Sequence, residues 1–362
     1  MPATTGEART PTVPGEVGAA GGARLLVPDV LRGVAILAML VAHAVPFLPH
    51  APSAADFVMY NVNDVASPLF ALVMGMAAQL VAQRTPPGDR PRMLVQQGVR
   101  ALFLVLLGVW VATWGSWVAV VLGHLGVLLL VGAPLVLLPT RVLAGLTALV
   151  VVVSAPLNAW ARSALAGTFP DPDAPAAVLA RWVVLDDHYR LTNLLPFFLA
   201  GALLLRHGAR RDRLLWGLLA VAPVAWLVAP VLQRLRPDSD FVSGSWPDTL
   251  HDVGLVALAY VAVVLLATLR RPPAAVGAVL GGLRALGVVA LSLYVLHVGV
   301  LALWAPGGLR PAGNDYPGWL VVVPGMAAVG ILWARLVGRG PLEWLVGLLT
   351  GRRRRREPAT TG

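Results

Sequence analysis

The 362-residue chain is 57% hydrophobic and 13% charged, with a mean hydropathy of +0.75, which excludes an ordinary soluble domain and indicates a membrane protein. Its net charge of +10 comes from 28 arginines without a lysine, and they are scattered between apolar segments, so no nucleic-acid-binding domain is predicted. The chain contains no cysteine, which excludes disulfides, thiolate catalysis and thiolate metal sites.

Three regions follow one another along the chain. Residues 1–23 are rich in Pro, Gly, Ala and Thr and are predicted to be a disordered cytoplasmic segment without the apolar core of a cleavable signal peptide. Residues 24–340 form the predicted transmembrane domain. Residues 341–362 contain a short amphipathic stretch and a run of five arginines, which we expect to contact anionic lipid.

Ten apolar segments are long enough to be assigned as membrane spans. They predict an all-α, polytopic integral membrane protein, a bundle of about ten transmembrane helices. The segments are 27–48, 60–82, 94–114, 117–138, 142–160, 191–206, 213–232, 249–269, 285–304 and 318–338.

The arginines predict the orientation of this bundle. With both termini in the cytoplasm, 22 of the 28 arginines lie on the cytoplasmic side and six lie outside. This asymmetry follows the positive-inside rule and predicts a multi-pass protein of the cell (plasma) membrane with both ends cytoplasmic. The longest outer connectors, about 161–190 and 233–248, are predicted to form a polar lid over an outward-facing cavity.

The first span carries charge at its foot and an imidazole deep inside it. Arg32 and His43 are eleven residues apart, so about 100° per residue places them on nearly the same helix face. The helical rise places His43 roughly 16 Å beyond Arg32, near or beyond the membrane middle. Ionisable groups are costly there, and His43 is therefore the first candidate for a catalytic acid–base group.

The second span opens with polar residues that an antiparallel neighbour would bring close to His43. Asp64 is the expected carboxylate partner that fixes the tautomer of His43, and Asn63 is expected to assist it. A polar cluster that merely joins two helices is the alternative interpretation. Later in the chain, Tyr294 and His297 share one helix face, where catalysis and hydrogen bonding in the core explain them equally well.

Several arginines lie at the predicted cytoplasmic foot of the first three spans. They satisfy the positive-inside rule by default, and their guanidinium groups also suit the phosphates of a nucleotide-bearing donor. The candidate phosphate-binding set is Arg32, Arg90, Arg92 and Arg100. The sequence has no Walker, dinucleotide-binding or HExxH motif, so no metal is predicted.

Four short motifs, in this order and spacing, resemble the transmembrane acyltransferase superfamily. That superfamily includes the heparan-α-glucosaminide N-acetyltransferases, the bacterial acyltransferase-3 O-acyltransferases and the DUF418 membrane proteins. The motifs are Asp29-x-x-Arg32-Gly33, Asp64-x-x-Ser67-Pro68-Leu-Phe70 with Gly75, Ser292-Leu-Tyr294-x-x-His297 and Gly340-Pro341-Leu342-Glu343-Trp344.

The resemblance implies transfer of an acyl group, acetyl above all, from cytoplasmic acyl-CoA to an extracytoplasmic sugar or glycan through ten to eleven helices. Acyl-CoA is then the co-substrate, and membrane lipid surrounds the protein. His43 lies at the position of the first-helix histidine, which is the catalytic candidate in acyltransferase-3 members. In the other two branches the corresponding position resembles an asparagine. The acceptor, the acyl chain length and the oligomeric state stay open.

The polar residues fit this chemistry. A neutral histidine can take the proton of the acceptor, and Asn63, Tyr294 or Asn193 can donate to the developing oxyanion. Transfer through an acyl-histidine is equally compatible. Two other functions compete with the enzyme: a transporter that uses His43 and Asp64 as a proton relay, and a membrane scaffold without catalysis.

Overall fold

The computed structural model describes residues 15–165, 167–169, 171, 174–236 and 242–351, with side chains from residue 26 onward. This part of the chain is all-α and contains no strand. Its helices are α1 Gly15–Ala44, α2 Ser53–Arg84, α3 Arg90–Ala112, α4 Leu122–Leu135, α5 Thr140–Ala164, α6 Pro175–Ala180, α7 Leu191–His207, α8 Arg213–Leu235, α9 Trp246–Ala267, α10 Ala274–Val288, α11 Ala290–Trp304, α12 Tyr316–Leu320, α13 Met326–Leu336 and α14 Pro341–Leu349.

The protein is a polytopic membrane protein, and its spans differ in detail from the ten predicted segments. All ten segments contain helix, and in the described part of the chain seven stretches are long and apolar enough to cross a membrane by themselves, one of which is the run Tyr316–Leu336 that includes α12 and α13. The predicted segments 117–138 and 191–206 form the shorter helices α4 and α7 of 14 and 17 residues. Helix α1 begins at Gly15, inside the segment predicted to be disordered, and both the first 14 residues and the arginine run after Gly351 lie outside the described residues.

The predicted span 285–304 is broken into α10 and α11, which are bent by 78° and together would make an eighth span. Hydropathy does not reveal this break because no proline or charge marks it. The carboxylate of Glu343 in α14 accepts hydrogen bonds from the backbone N–H groups of Leu291 and Ser292, at 2.6 and 3.1 Å. These amides begin α11 and have no partner within that helix, so a distant carboxylate makes the break possible.

Glycines allow the central helices to approach closely. At Gly33, in the first of the four motifs, a Cβ atom would overlap the backbone of Leu283 in α10. At Gly75, a Cβ atom would overlap the backbone of Phe198 in α7. Small residues are the usual means of close helix packing in lipid, and here they place α1 against α10 and α2 against α7.

The buried core lies around α1 and α2, whereas α5 and α8 are peripheral. In the most apolar window of α2, 67% of the residues are buried inside the protein, compared with 17% in α5 and α8. Successive apolar segments alternate in direction, so Arg32 and His43 mark two opposite ends of the bundle, named here the Arg32 end and the His43 end. Gly15 and Gly351 both belong to the Arg32 end.

Candidate active site

A cavity of about 520 Å³ opens at the Arg32 end of the bundle. Side chains of α2, α3 and α4 form its apolar wall, and α14 closes one side of it. Its volume lies within the usual range of small-molecule sites. The charged or amide side chains that line it are Asp29, Arg32, Gln97, Arg100, Arg339 and Glu343.

Of the four predicted phosphate-binding arginines, the structure brings two to this cavity. Arg32 and Arg100 line it, whereas Arg90 and Arg92 are exposed in the first turn of α3 and do not belong to the lining. The helical rise explains the difference, because Arg100 lies roughly 12–15 Å further along α3. Arg339, which the sequence analysis did not single out, is the third arginine of the cavity.

The first motif shapes this opening. Arg32 lies 3.3 Å from the carboxylate of Asp29 one helical turn earlier, and it also donates to the carbonyl oxygen of Gly287, at 3.4 Å. Gly287 belongs to α10, close to the break between α10 and α11. The motif therefore ties α1 to the broken helix and holds a guanidinium group at the cavity wall.

Tyr294 lies at the inner end of the cavity. It is 3% exposed, and its hydroxyl oxygen accepts a hydrogen bond from the backbone N–H of Val121, at 3.2 Å. Its ring contacts the ring of His297 edge-on, with 5.2 Å between the centroids. The cavity thus ends one helical turn of α11 away from a buried imidazole.

His297 and His43 form a pair of imidazoles. Nε2 of His297 lies 2.8 Å from Nδ1 of His43, and the two rings are nearly parallel, with a 10° angle between their planes. His297 is completely buried, whereas His43 in the last turn of α1 is half-buried. Trp117 donates its indole N–H to the carbonyl oxygen of His43, which fixes the end of α1.

Asp64 has another partner than the predicted one. Its Oδ2 lies 3.6 Å from Nε2 of His251 in α9, and its Oδ1 accepts a hydrogen bond from Asn63 at 3.1 Å. The imidazole of His251 also contacts the carbonyl oxygen of Trp226 in α8, at 3.0 Å. Helix α2 therefore turns Asp64 towards α8 and α9, and the expected contact with His43 is replaced by the pair with His297.

A second buried imidazole, which the sequence analysis did not single out, has a carboxylate neighbour. His124 in α4 is 5% exposed, and its Nε2 lies 3.5 Å from Oδ2 of Asp186. Burial would raise the pKa of Asp186, but His124 and the backbone N–H groups of Tyr189 and His188 lower it to about 2. Asp186 is therefore an anion at neutral pH.

Two family descriptions match the chain in two adjacent stretches. "Heparan-alpha-glucosaminide N-acetyltransferase, catalytic" matches residues 24–204, half of the chain, and "Protein of unknown function (DUF418)" matches residues 201–353. The chain belongs to the heparan-α-glucosaminide N-acetyltransferase/DUF418 transmembrane acyltransferase-like superfamily. A comparison with individually curated proteins found no match.

The site of this superfamily member combines the two matched stretches. His43 and Arg32 come from the first stretch, whereas His297, Tyr294 and Arg339 come from the second. The imidazole pair and the cavity are therefore complete only when both halves pack together. Among the residues that the structure describes, no group of three His, Asp or Glu side chains has an arrangement that could hold a metal ion.

Proposed function

We propose that this superfamily member is a membrane acyltransferase that moves an acyl group, above all acetyl, from cytoplasmic acyl-CoA to an extracytoplasmic sugar or glycan. The observation that carries the proposal is the continuity between a cavity with three arginines and the His43–His297 pair, with Tyr294 between them. Such continuity suits a reaction whose donor and acceptor approach from opposite sides.

The orientation in the plasma membrane follows from the arginine asymmetry. By the count along the sequence, 22 of the 28 arginines fall on the side of the predicted spans that contains Arg32, and we assign this side to the cytoplasm together with both termini. The cavity then opens to the compartment that contains acyl-CoA. The His43 end faces the outside, where the acceptor would arrive.

The hydrogen-bond donors that line the cavity fit acyl-CoA as a co-substrate. The guanidinium groups of Arg32, Arg100 and Arg339 suit phosphate groups, since a guanidinium fork binds phosphate oxygens with two parallel hydrogen bonds. The apolar wall suits the acyl-bearing arm of the donor. Arg90 and Arg92 lie exposed on α3, and they add positive potential that attracts a polyanionic donor.

The imidazole pair supplies the base for the reaction. With a proton on Nδ1 of His43 that is shared with Nε2 of His297, Nε2 of His43 has a free lone pair. It takes the proton of the acceptor hydroxyl or amine as the acceptor attacks the thioester carbonyl. The bond between carbonyl carbon and sulfur then breaks, and the thiolate of CoA takes up the proton.

Tyr294 is proposed to stabilise the charge that develops on the carbonyl oxygen. Its hydroxyl oxygen is already positioned by the N–H of Val121, so its own hydrogen can point at the reacting carbonyl. Asn63 and Asp64 lie with His251, away from this arrangement. We therefore assign them to packing of the His43 end rather than to the reaction.

A sided transfer assay tests the proposal. Purified protein in proteoliposomes receives labelled acetyl-CoA at the Arg32 end and an amino sugar at the His43 end, and the label on the sugar is measured. We expect transfer by the wild type and a loss with His297→Ala. Failure to bind or consume acetyl-CoA, combined with proton or solute flux that requires His43, would contradict the enzyme and favour a transporter.

A further inference from the structure

A completely buried arginine with an unused donor lies at the His43 end. Arg190 precedes α7 and has no exposed surface. Its Nε donates to the carbonyl oxygen of Asp186, and its Nη1 donates to the carbonyl oxygen of Ser243, at 2.6 Å. Its Nη2 is buried and has no hydrogen-bond partner among the described residues. Both partners of Arg190 are neutral, so within the described part of the chain no anion contacts its positive charge.

A second arginine lies close to the first. Arg162 is in the last turn of α5, one helical turn after Asn158, whose amide donates at 2.7 Å to Asn193, three residues after Arg190. Among the residues that the structure describes, Nη1 of Arg162 is also buried without a hydrogen-bond partner. Burial first, and then the positive charge of Arg162, lower the pKa of Arg190. The hydroxyl oxygen of Ser245 is a third buried polar atom without a partner in this region.

Amide donors surround the glycine beside these arginines. Gly244 has a φ of +79°, and a Cβ atom there would overlap Nη1 of Arg190 and would lie 2.6 and 2.9 Å from the Nδ2 atoms of Asn193 and Asn158. The amide of Asn158 is oriented by Thr192, whose hydroxyl donates to its Oδ1, and by its own bond to Oδ1 of Asn193 at 2.7 Å. This orientation turns Nδ2 of Asn193 towards Gly244.

The neighbouring carboxylates do not neutralise this set. Asp186 accepts bonds from backbone amides and lies beside His124, and Asp248 accepts the N–H of Gly244 at 2.7 Å. Asp187 is exposed to solvent. All three raise the pKa of Arg190 from a distance, but no ion pair joins a described carboxylate to either arginine.

A buried guanidinium without a contacting anion is costly, because its desolvation is not offset by an ion pair. Arg162 and Arg190 each have an unpaired N–H donor within the described part of the chain, and Arg190 lies beside Gly244, whose side chain is a single hydrogen. Such donors suit the oxygen atoms of an anion. We propose that Arg162 and Arg190 form an anion-binding subsite at the His43 end, which takes the carboxylate or phosphate group of an acidic acceptor.

The subsite and the proposed site of transfer both pack against the beginning of α4. Tyr189 precedes Arg190, and its ring contacts the ring of His124 with 5.6 Å between the centroids. Both side chains lie on the same side of the bundle as Tyr294, whose hydroxyl binds the backbone at the start of α4. The acceptor role of the subsite rests on the proposed function, whereas its affinity for an anion does not.

Direct binding tests the subsite without any transfer reaction. Methyl phosphate and glucuronate are titrated into the protein in lipid nanodiscs, and binding is measured by calorimetry. We expect Arg162→Gln to weaken binding by about tenfold or more, since a charge-assisted hydrogen bond is lost. The matched control is Arg310→Gln, which removes an exposed arginine at the same end and leaves the affinity unchanged.

Two further variants keep the test decisive. Arg190→Gln also removes bonds to Asp186 and Ser243, so its folding is at risk, whereas the Nη1 of Arg162 has no bond to lose. Arg234→Gln removes another exposed arginine at the His43 end and must leave this binding intact, and saturating CoA in every titration fills the cavity at the opposite end. Affinity for both probes that changes less than about twofold in Arg162→Gln overturns the subsite.

Competition identifies the source of the anion. The proposal expects transfer to an acidic sugar to have a higher kcat/KM than transfer to its neutral counterpart, and methyl phosphate to compete with the acidic sugar. Binding of methyl phosphate without competition would overturn the acceptor assignment and leave a site for a free anion. Anion binding that is lost in Arg162→Gln, in a protein without acyl transfer, would refute the proposed function and retain the anion site.

Discussion

Two histidines at the His43 end, His297 and His251, are both buried but have opposite surroundings. His297 lies 2.8 Å from another imidazole and one helical turn from the end of the cavity. His251 lies 3.6 Å from the carboxylate of Asp64, and neither of these two residues lines the cavity. His297 thus contacts a residue of the cavity lining, Tyr294, but no described carboxylate, whereas His251 lies beside a carboxylate away from the cavity. We call the first arrangement access to the cavity. For a reaction across a membrane, access is the condition that the fold must supply first.

The largest expected effect separates the two histidines directly. His297→Ala and His43→Ala lower kcat by about 10²–10⁴-fold, the usual loss when a general base is removed. His251→Ala is the matched control and changes kcat by less than about threefold. Transfer of labelled acetyl groups by equal amounts of folded protein measures both effects. If His251→Ala is as inactive as His297→Ala, the proposed difference in role between the two histidines is wrong.

The cavity provides the second test, because Tyr294 lines it and contacts His297, whereas His251 contacts Asp64 and Trp226. Arg339→Gln and Arg100→Gln raise the Kd for acetyl-CoA by about tenfold, since each removes a guanidinium group that suits a phosphate. Arg92→Gln, at an exposed position of the same helix as Arg100, raises it by less than about twofold. The affinities are measured by calorimetry with CoA in place of acetyl-CoA, because CoA carries the same phosphates and cannot react.

A result in which Arg92→Gln weakens binding as much as Arg100→Gln does would move the donor site out of the cavity and onto the surface of α3. The contact between the cavity and the imidazole pair would then no longer support a catalytic role for this pair. Equal affinities in all variants would remove the donor site from this end of the bundle.

The sequence predicts one helix of the site well and the partners of that helix poorly. The period of a single helix predicts that Arg32 and His43 share a face, and in the structure both contact the pair of helices α10 and α11. The partner of His43 is decided by tertiary packing: α11 brings His297 to it over a separation of 254 residues. Proximity along the chain favoured Asp64 instead, and no local pattern shows that α2 turns this carboxylate towards α9.

The break between α10 and α11 shows the same limit. Segment 285–304 is continuously apolar, so hydropathy predicts one span, and the carboxylate that caps α11 comes from Glu343 in another helix. Arg339 and Glu343 belong to a stretch that the sequence analysis assigned to the end of the domain and to a lipid-contacting tail, yet both line the cavity. Counting arginines predicts which end of the bundle is cytoplasmic, but it does not predict which side chains line the cavity.

Removal of the cap gives the third test, with a smaller effect. Glu343→Ala leaves the first amides of α11 and the hydroxyl of Ser292 without their acceptor, at a cost of about 2 kcal/mol. Glu343→Gln keeps one acceptor oxygen and is expected to be intermediate. Thermal unfolding in detergent measures the stability. Because α11 carries His297, kcat falls in parallel by a few-fold, whereas a stability unchanged in Glu343→Ala would show that the break does not depend on this carboxylate.

The smallest expected effect comes from Asp64→Asn. The amide keeps the size of the side chain and can still accept from Asn63, while the charge beside His251 is lost. Since neither Asp64 nor His251 contacts the His43–His297 pair, kcat stays within about twofold of the wild type and its pH profile does not move. Acetyl transfer measured across pH, with His43→Ala as the inactive reference, checks this expectation. A loss comparable to that of His43→Ala would mean that the carboxylate of Asp64 orients the catalytic imidazole. His251, the partner of Asp64, would then have the role that we assign to His297.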